Sequence, residues 1–133
     1  MAAETIKTFY GHALGSCPLA KEKQMEIKEI PFQVFDLENM IAEEHPGVTG
    51  KAFWKTVNRG NVRIRIVEYT PGYLADHWCE KGHAVFVLKG EFESELKDGR
   101  RFTLKPGMCY LVADHTDAHR SHTKDGVKLL IVD

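Results

Sequence analysis

The chain has 133 residues, which is enough for one domain with a single buried core. Its 43% hydrophobic and 28% charged residues are typical of a globular protein and exclude a disordered or fibrous one. The formal net charge is −1, without a block of like charge, so nothing in the sequence points to nucleic acid or an anionic membrane surface as a partner. No apolar run approaches the roughly 20 residues of a membrane-spanning helix.

The three cysteines, Cys17, Cys79 and Cys109, are an odd number and form no C-x-x-C pair, so they do not predict a disulfide scaffold. The first residues also lack the basic and then apolar layout of a secretory signal. Together these two features favour a reducing, cytoplasmic location.

Residues 1–24 mix Ala, Gly, Thr, Lys and Glu without a sustained hydrophobic period. Met25 then begins a segment, Met-Glu-Ile-Lys-Glu-Ile-Pro-Phe, that resembles the start of a protein. We therefore expect residues 1–24 to be a poorly ordered extension that packs little, and residues 25–133 to form the folded domain.

From Ile27 onward the chain shows the short apolar or alternating runs and tight turns that are typical of β-strands. Residues 30–37 are apolar-rich, and a brief helical turn is predicted over residues 38–44. The later predicted strands cover residues 51–57, 62–66, 84–88, 91–96, 101–104, 108–112 and the two sides of Asp125-Gly126, the last strand being 127–132. About eight to ten short strands at this spacing predict an all-β antiparallel sandwich or barrel.

The run Val62-Arg-Ile-Arg-Ile predicts the orientation of one of these strands. Its apolar residues lie on one face of an extended chain, and Arg63 and Arg65 lie on the other. We expect the apolar face to be buried and the two arginines to be solvated. They would face a bound ligand only if the register of the strand were reversed.

The segment Asp76-His-Trp-Cys-Glu-Lys-Gly-His83 carries three candidate metal ligands at even separations, His77, Cys79 and His83. On a locally extended chain such residues point to the same side, which in a barrel becomes the interior. Imidazole nitrogen and thiolate sulfur both bind divalent transition metals. The pattern predicts a metal site, and the alternative interpretation of the histidines is an interior hydrogen-bond network.

A second histidine-rich stretch contains His115, His119 and His122. His119 is the candidate for a further metal ligand. His122 has the wrong parity to share a strand face with His119, so we expect it in an outer layer of the site or on the surface. His115 falls in a predicted loop, where we expect an exposed side chain.

Cys79 has three alternative roles: a thiolate ligand, a reactive or redox thiol beside the metal, or a small buried hydrophobic residue. Cys109 lies in an apolar strand and is expected to be structural. Asp76 either orients a ligating histidine, as carboxylates often do at metal sites, or is a surface residue. For Trp78 we expect packing. The remaining aromatic candidates are expected in the core, with the mouth of the barrel as the alternative: Tyr69, Phe86 and Tyr110.

The spacing His77-x-Cys79-x3-His83-x6-Gly90 resembles the first cupin motif, G-x5-H-x-H-x3,4-E-x6-G. Cys79 stands where the motif has its second histidine, and His83 stands where it has glutamate. The resemblance covers about residues 50–133. It implies a single-domain cupin, that is, a double-stranded β-helix or jelly-roll barrel.

Later parts of the chain extend the resemblance. Gly107 is similar to the glycine that opens the second cupin motif, and His119 to the metal-binding histidine of that motif. The Asp-His-Trp-Cys segment and the ending Leu-Leu-Ile-Val-Asp resemble a group of small single-domain cupins named for an Asp-His-Cys-Trp-type motif. The metal ligands that the resemblance implies are His77, Cys79, His83 and His119.

The resemblance further implies a divalent transition metal, with Zn, Fe(II) or Ni as candidates, and a homodimer. Four protein ligands would saturate a tetrahedral zinc, whereas an octahedral ion would keep open positions for a substrate. A metal-dependent enzyme acting on a small molecule, dioxygenase- or isomerase-like, is the first hypothesis. A non-catalytic module that binds a metal or a small ligand is the second, and a metal-free barrel is the third.

Overall fold

The computed structural model of the protein describes residues 24–133. Within this range the chain forms nine strands and one turn of 3-10 helix, Leu37–Asn39. The strands are β1 (Glu43–Pro46), β2 (Lys51–Arg59), β3 (Val62–Tyr69), β4 (His83–Gly90), β5 (Phe92–Leu96), β6 (Arg101–Leu104), β7 (Cys109–Val112), β8 (His119–His122) and β9 (Val127–Val132). The predicted all-β class is confirmed. The extension predicted over residues 1–24 lies outside the described residues, except for Gln24.

The strands form two antiparallel sheets. The larger sheet has the order β1-β2-β3-β9-β4-β7, and the smaller sheet has the order β6-β5-β8. Strand β9 therefore lies at the centre of the larger sheet, between β3 and β4. Its side chains alternate as a sheet requires, because Val127, Leu129 and Ile131 are buried and the residues between them are only partly buried.

The hydrophobic core lies between the two sheets. Its members are Val67, Val85, Val87, Phe92, Leu104, Val127, Leu129 and Ile131. Phe92 and Leu104 come from the smaller sheet, where they are paired across β5 and β6. Burying one such side chain stabilises the fold by about 1.5–3 kcal/mol relative to leaving it exposed, so this layer holds the two sheets together.

The interior face of the larger sheet becomes polar at one end. Ile131 of β9 pairs with Arg65 of β3. Just beyond this pair, Asp133 exchanges two backbone hydrogen bonds with Arg63, of 2.6 and 2.9 Å. His83 begins the neighbouring strand β4 at the same end. The strand register thus brings two arginines, an aspartate and a histidine together at the end of the core.

The orientation predicted for β3 is wrong. Arg65 is only 5% exposed, and Val67, which shares its face, belongs to the core. Ile66 on the opposite face is also buried, so the alternation of side chains does not reveal which face is interior. The buried guanidinium is accommodated because Asp133 accepts its hydrogen bond and the Trp54 ring lies 4.7 Å below it.

The chain before β1 is less regular than predicted. Residues 30–36 contain no strand, and Phe32 and Val34 are 96% and 84% exposed, because neither finds a sheet to pack against. The helical turn predicted over residues 38–44 is shortened to Leu37–Asn39, since β1 takes up the end of that segment. None of the helical structure among the described residues is long and apolar enough to span a membrane.

Candidate metal centre

Three of the four predicted ligands meet at the polar end of the interior: Cys79, His83 and His119. Their ligand atoms all lie within 4.8 Å of one another. His83 begins β4 in the larger sheet, and His119 begins β8 in the smaller sheet. The cluster therefore joins the two sheets, and it is largely shielded from solvent, since His119 is only 3% exposed.

The backbone fixes the separation of Cys79 and His119. The N–H of Cys79 donates to the carbonyl of His119 at 2.7 Å, and the N–H of His119 donates to the carbonyl of Cys79 at 3.0 Å. This isolated antiparallel bridge ties the segment before β4 to β8. The two side chains are thus placed by main-chain hydrogen bonds and not by their own contacts alone.

The two imidazole rings of the cluster face each other through Nε2. His83 Nε2 lies 2.9 Å from His119 Nε2. His119 Nδ1 lies 2.8 Å from the carbonyl oxygen of Asp117, so Nδ1 must carry the hydrogen and donate it. His83 Nδ1 lies 3.6 Å from Oδ2 of Asp133, which favours a hydrogen on that nitrogen too. Both Nδ1 atoms therefore point towards oxygens, and both Nε2 atoms point towards the centre of the cluster.

The protonation of the cluster follows from its contacts. Burial and the neighbouring His119 lower the pKa of His83 to about 4, so this ring is neutral at neutral pH. The hydrogen bond with His119 keeps the pKa of the Cys79 thiol below its ordinary value, although burial opposes this. Burial also opposes a charge on His119, but Cys79 and the Asp117 carbonyl raise its pKa overall. The contacts of Cys79 and His119 thus favour the thiolate and the imidazolium relative to the free side chains.

A buried carboxylate lies beside Nδ1 of His83, on the side of the ring that faces away from the cluster. Asp133, whose side chain is 3% exposed, accepts two hydrogen bonds from Arg63, at 2.7 Å from Nε and 2.8 Å from the terminal nitrogen. Arg65 donates a third at 3.1 Å. Burial alone would raise the pKa of Asp133, but the two guanidinium groups hold it below its ordinary value. Asp133 is therefore a carboxylate, and its charge faces His83.

The donor set fits a transition metal. Two imidazole nitrogens and one sulfur of lowered pKa are the soft and borderline ligands that such ions take in proteins. The outer nitrogens are oriented by a carbonyl and a carboxylate, as is usual for metal-bound histidines. Cys79, His83 and His119 would hold the ion.

Comparison with known proteins identifies the architecture. No protein-family model matches the sequence, and no curated protein matches it. Ectoine synthase from P. lautus has a TM-score of 0.63 at 18% identity, over 76% of this chain and 76% of its own. A predicted oxalate decarboxylase from Thermotoga maritima has a TM-score of 0.64 at 14% identity, over 75% and 96%. A sugar phosphate isomerase from Silicibacter pomeroyi, described as coming from a cupin superfamily, has a TM-score of 0.58 at 17% identity, over 75% and 74%.

The protein has the cupin fold. At such low identities the likeness shows the fold alone, and the chemistry of the site depends on the residues of this protein. The predicted jelly-roll barrel is confirmed.

His77, in the first histidine position of the motif, is not part of the cluster. Its side chain is 72% exposed, and Nδ1 lies 2.6 Å from Oδ1 of Asp76. The segment bends at Asp76 and His77, so the locally extended chain on which the parity argument depended is interrupted there. Asp76 is exposed and contacts this solvent-facing histidine, so of its two predicted roles the structure favours that of a surface residue.

Three further histidine and cysteine residues that the sequence analysis considered lie in the described part of the chain. His115 and His122 are exposed, as predicted for both. Cys109, expected to be structural in an apolar strand, lies in β7 with an exposed side chain. Trp78 packs beneath the Arg120 guanidinium, 4.5 Å from the ring centre.

The sequence did not predict a role for Asp133, and it predicted Tyr110 only as a core residue or as a residue at the mouth of the barrel. The Tyr110 hydroxyl lies 3.3 Å from His83 Nε2, at the edge of the cluster. Burial raises the pKa of Tyr110, so the phenol is neutral. Asp133 directly follows the alternating run Val127–Val132. Its position at the end of this strand is the one sequence feature that could have indicated an interior side chain.

A wide open groove of about 1080 Å³ lies elsewhere in the protein, near the turn that precedes β9. Lys89, Lys105 and Lys124 line it, together with acidic side chains. None of the three cluster residues lines this groove, so its size is no reason to place the functional site there.

Proposed function

We propose that this cupin-fold protein binds a divalent transition metal through Cys79, His83 and His119 and uses it in a reaction on a small molecule. The observation that carries the proposal is the pair of Nε2 atoms 2.9 Å apart, with both Nδ1 atoms directed at oxygens. Two nitrogen lone pairs at this distance repel unless a hydrogen on one of the nitrogens, or a metal ion bound by both, relieves the repulsion.

The number of donors supports a reactive metal more than a structural one. Three protein ligands leave at least one coordination position free, even for a tetrahedral ion. Because the His77 side chain is 72% exposed and lies outside the cluster, the proposal counts three protein ligands and not the four implied by the cupin motif. Zn, Fe(II) and Ni all accept this mixture of nitrogen and sulfur, and the bound ion would polarise an oxygen-bearing substrate.

The reaction class is proposed from the fold and from the open coordination positions of the ion. Solved structures with the same fold include proteins named as an isomerase, a decarboxylase and a synthase, all of which act on small molecules. A dioxygenase- or isomerase-like reaction fits an ion with open positions in a shielded interior. No carboxylate of the described residues lies within the cluster as a general base, and with Cys79 bound to the metal the neutral Tyr110 hydroxyl is the candidate for proton transfer.

A non-catalytic metal-binding module is the second candidate. The observation that favours it is the Tyr110 hydroxyl, which lies beside His83 Nε2 and narrows the space available for a substrate. A neutral phenol is a weak ligand, so Tyr110 would restrict access to the ion without saturating it.

Elemental analysis tests the proposal directly. Protein purified without added metal, and protein reconstituted with Zn, Fe(II) or Ni, should contain close to one equivalent of ion. Less than about a tenth of an equivalent in both samples would reject the proposal. Turnover of a small-molecule panel by the loaded protein, with and without dioxygen, then separates the enzyme from the binding module.

We also propose a cytoplasmic homodimer. Cysteine usage supports the location, since no disulfide framework is present in the sequence. The outer face of β4 and β7 supports the dimer, because Phe86, Leu88 and Leu111 are 38%, 46% and 79% exposed there. Strand β7 has a paired neighbour on one side only among the described residues, so a second copy could cover this apolar edge.

A further inference from the structure

One half of the outer face of the larger sheet, the face that points away from the core, is covered by the chain that precedes β1. Val57 of β2 and Ile66 of β3 lie on this face, and they are only 5% and 9% exposed. Residues 30–36, the leading segment, lie on this half, because the Phe35 ring packs 4.9 Å from the Arg59 guanidinium of β2. The 3-10 turn that follows contacts both β2 and β3.

The leading segment directs its side chains to two sides. Gln33, which accepts a hydrogen bond from Arg59 at 3.3 Å, and Phe35 face the sheet of their own chain. Phe32 and Val34 face the other way, and they are 96% and 84% exposed. Two large apolar side chains held outward next to each other mark a surface that a partner can bury.

The other half of the outer face has no such cover. Phe86 and Leu88 of β4 and Leu111 of β7 are 38%, 46% and 79% exposed there. Strands β4 and β7 are paired, so the three side chains form one continuous apolar patch. Nothing within residues 24–133 buries this patch.

The strand order makes the two halves complementary under a two-fold rotation. Strand β9 lies near the middle of the larger sheet, with β3 and β2 on one side and β4 and β7 on the other. When two copies face each other through this sheet, a two-fold axis parallel to β9 places the bare half of each copy over the covered half of the other. The same two surfaces then meet twice, and the contact closes as a dimer.

The exposed area is sufficient for such a contact. Phe32, Val34, Phe86, Leu88 and Leu111 expose on the order of 600 Å² per copy, and each partner of a stable complex buries roughly 800 Å². Backbone and polar atoms around these five residues supply the remainder.

We infer that the leading segment of one copy packs Phe32 and Val34 on the β4 and β7 face of a second copy, against Phe86, Leu88 and Leu111. The inference rests on the proposed homodimer, and it adds the two surfaces that meet in it. None of these residues belongs to the metal cluster, so the contact is tested separately from metal binding.

Photo-crosslinking of the full-length protein tests the contact. p-Benzoylphenylalanine is introduced in place of Phe32, and ¹⁴N- and ¹⁵N-labelled copies are mixed and left to exchange, so that mass spectrometry identifies links between copies. These links should join position 32 of one copy to residues 86–88 or 108–111 of the other. The same amino acid in place of Phe102, on the edge of the smaller sheet, is the matched control and should give no link between copies.

The dissociation constant of the dimer gives a second measurement. Phe32→Ser should raise it about tenfold or more, because each dimer loses two buried phenyl rings. Phe102→Ser should leave it unchanged. Since Phe32 is 96% exposed, its replacement leaves the packing within one copy intact. Sedimentation equilibrium at several protein concentrations measures the constant for all three proteins.

The outcomes separate the inference from the proposed homodimer. An unchanged dissociation constant in Phe32→Ser, or the absence of links from position 32 to β4 and β7 of the other copy, would overturn the inference and leave the homodimer standing. A wild-type protein that is monomeric at tens of micromolar would overturn both. p-Benzoylphenylalanine in place of Leu111 tests another occupant: links to residues 1–23 of the same copy would show that this segment covers the patch, and would also overturn the inference.

Discussion

Oδ2 of Asp133 lies 3.6 Å from Nδ1 of His83 and accepts hydrogen bonds from both Arg63 and Arg65. One carboxylate oxygen thus connects two guanidinium groups to the outer nitrogen of a candidate metal ligand. Its negative charge favours the His83 tautomer that carries hydrogen on Nδ1. That tautomer leaves Nε2 free to bind an ion, so Asp133 would act on a bound metal through His83.

Asp133→Asn should weaken metal binding by about ten- to a hundredfold, because outer partners of ligating histidines contribute that much to affinity. Competition against a chromogenic chelator measures the change. Asp125→Asn, at an exposed aspartate before β9, is the matched control and should bind metal as the wild type does. Unchanged affinity in Asp133→Asn would remove Asp133 from the description of the site.

His77→Gln should leave the metal content of the protein unchanged, since the His77 side chain is exposed and hydrogen-bonded to Asp76. His119→Gln should reduce it to a small fraction of an equivalent, because one of three donors is lost. Elemental analysis of both variants decides between the cluster seen in the structure and the four-ligand set implied by the cupin motif. Loss of metal from His77→Gln would restore His77 as a ligand.

Asp133 should make the free energy of unfolding of the metal-free protein depend on pH in the acidic range. Burial alone would raise its pKa, but the two arginines hold the folded-state pKa below the ordinary value of 3.8. The unfolded chain therefore takes up the proton first. The stability that Asp133 contributes is present above about pH 4 and is lost as the pH falls through the folded-state pKa. In urea denaturation, the difference between wild type and Asp133→Asn should shrink from pH 5 towards pH 2.

Leu129→Ala should lower the free energy of unfolding by about 2–5 kcal/mol, the usual cost of a cavity in a close-packed core. Leu129 is 1% exposed and lies in β9, which joins β3 to β4. Leu130→Ala, at the next and only partly buried position, is the control and should cost less. Urea denaturation of the two variants at neutral pH makes the comparison, and equal losses would contradict the assignment of the interior face.

Leu111→Asp should convert the proposed homodimer to a monomer. Leu111 is 79% exposed on the outer face of β7, where a charge would be buried without a partner in a dimer. Analytical ultracentrifugation of both proteins gives the masses. The exposed Phe102→Asp, on the edge of the smaller sheet, serves as the control, and a wild-type monomer at tens of micromolar would reject the dimer.

Much of the fold could be predicted from sequence because strands leave a local signature. The alternation of apolar and polar residues and the glycine-containing turns predicted the strands from Lys51 onward, and the cupin spacing predicted the barrel. The grouping of His83, Cys79 and His119 was also predicted, since all three occupy motif positions; that they bind a metal stays a prediction. These signals depend only on neighbours in the chain and on a recurring pattern.

The remaining features depend on contacts that no local pattern reports. Period-2 alternation separates the two faces of β3 but does not say which is interior, and Arg65 is buried only because Asp133 arrives from the far end of the chain. His77 lies outside the cluster because the chain bends at that residue. Even spacing in the sequence does not reveal such a bend. The buried atoms Thr56 Oγ1 and Arg65 Nε have no hydrogen-bond partner, and this can be seen only from the three-dimensional contacts of the two paired strands.

The backbone bridge between Cys79 and His119 has a kinetic consequence. Two main-chain hydrogen bonds hold these ligands at their separation before any ion arrives, so little of the binding free energy is spent on ordering the chain. Uptake and release of the ion should then be limited by its passage into the barrel. Amide hydrogen exchange at these two residues should be equally slow in the empty and the loaded protein.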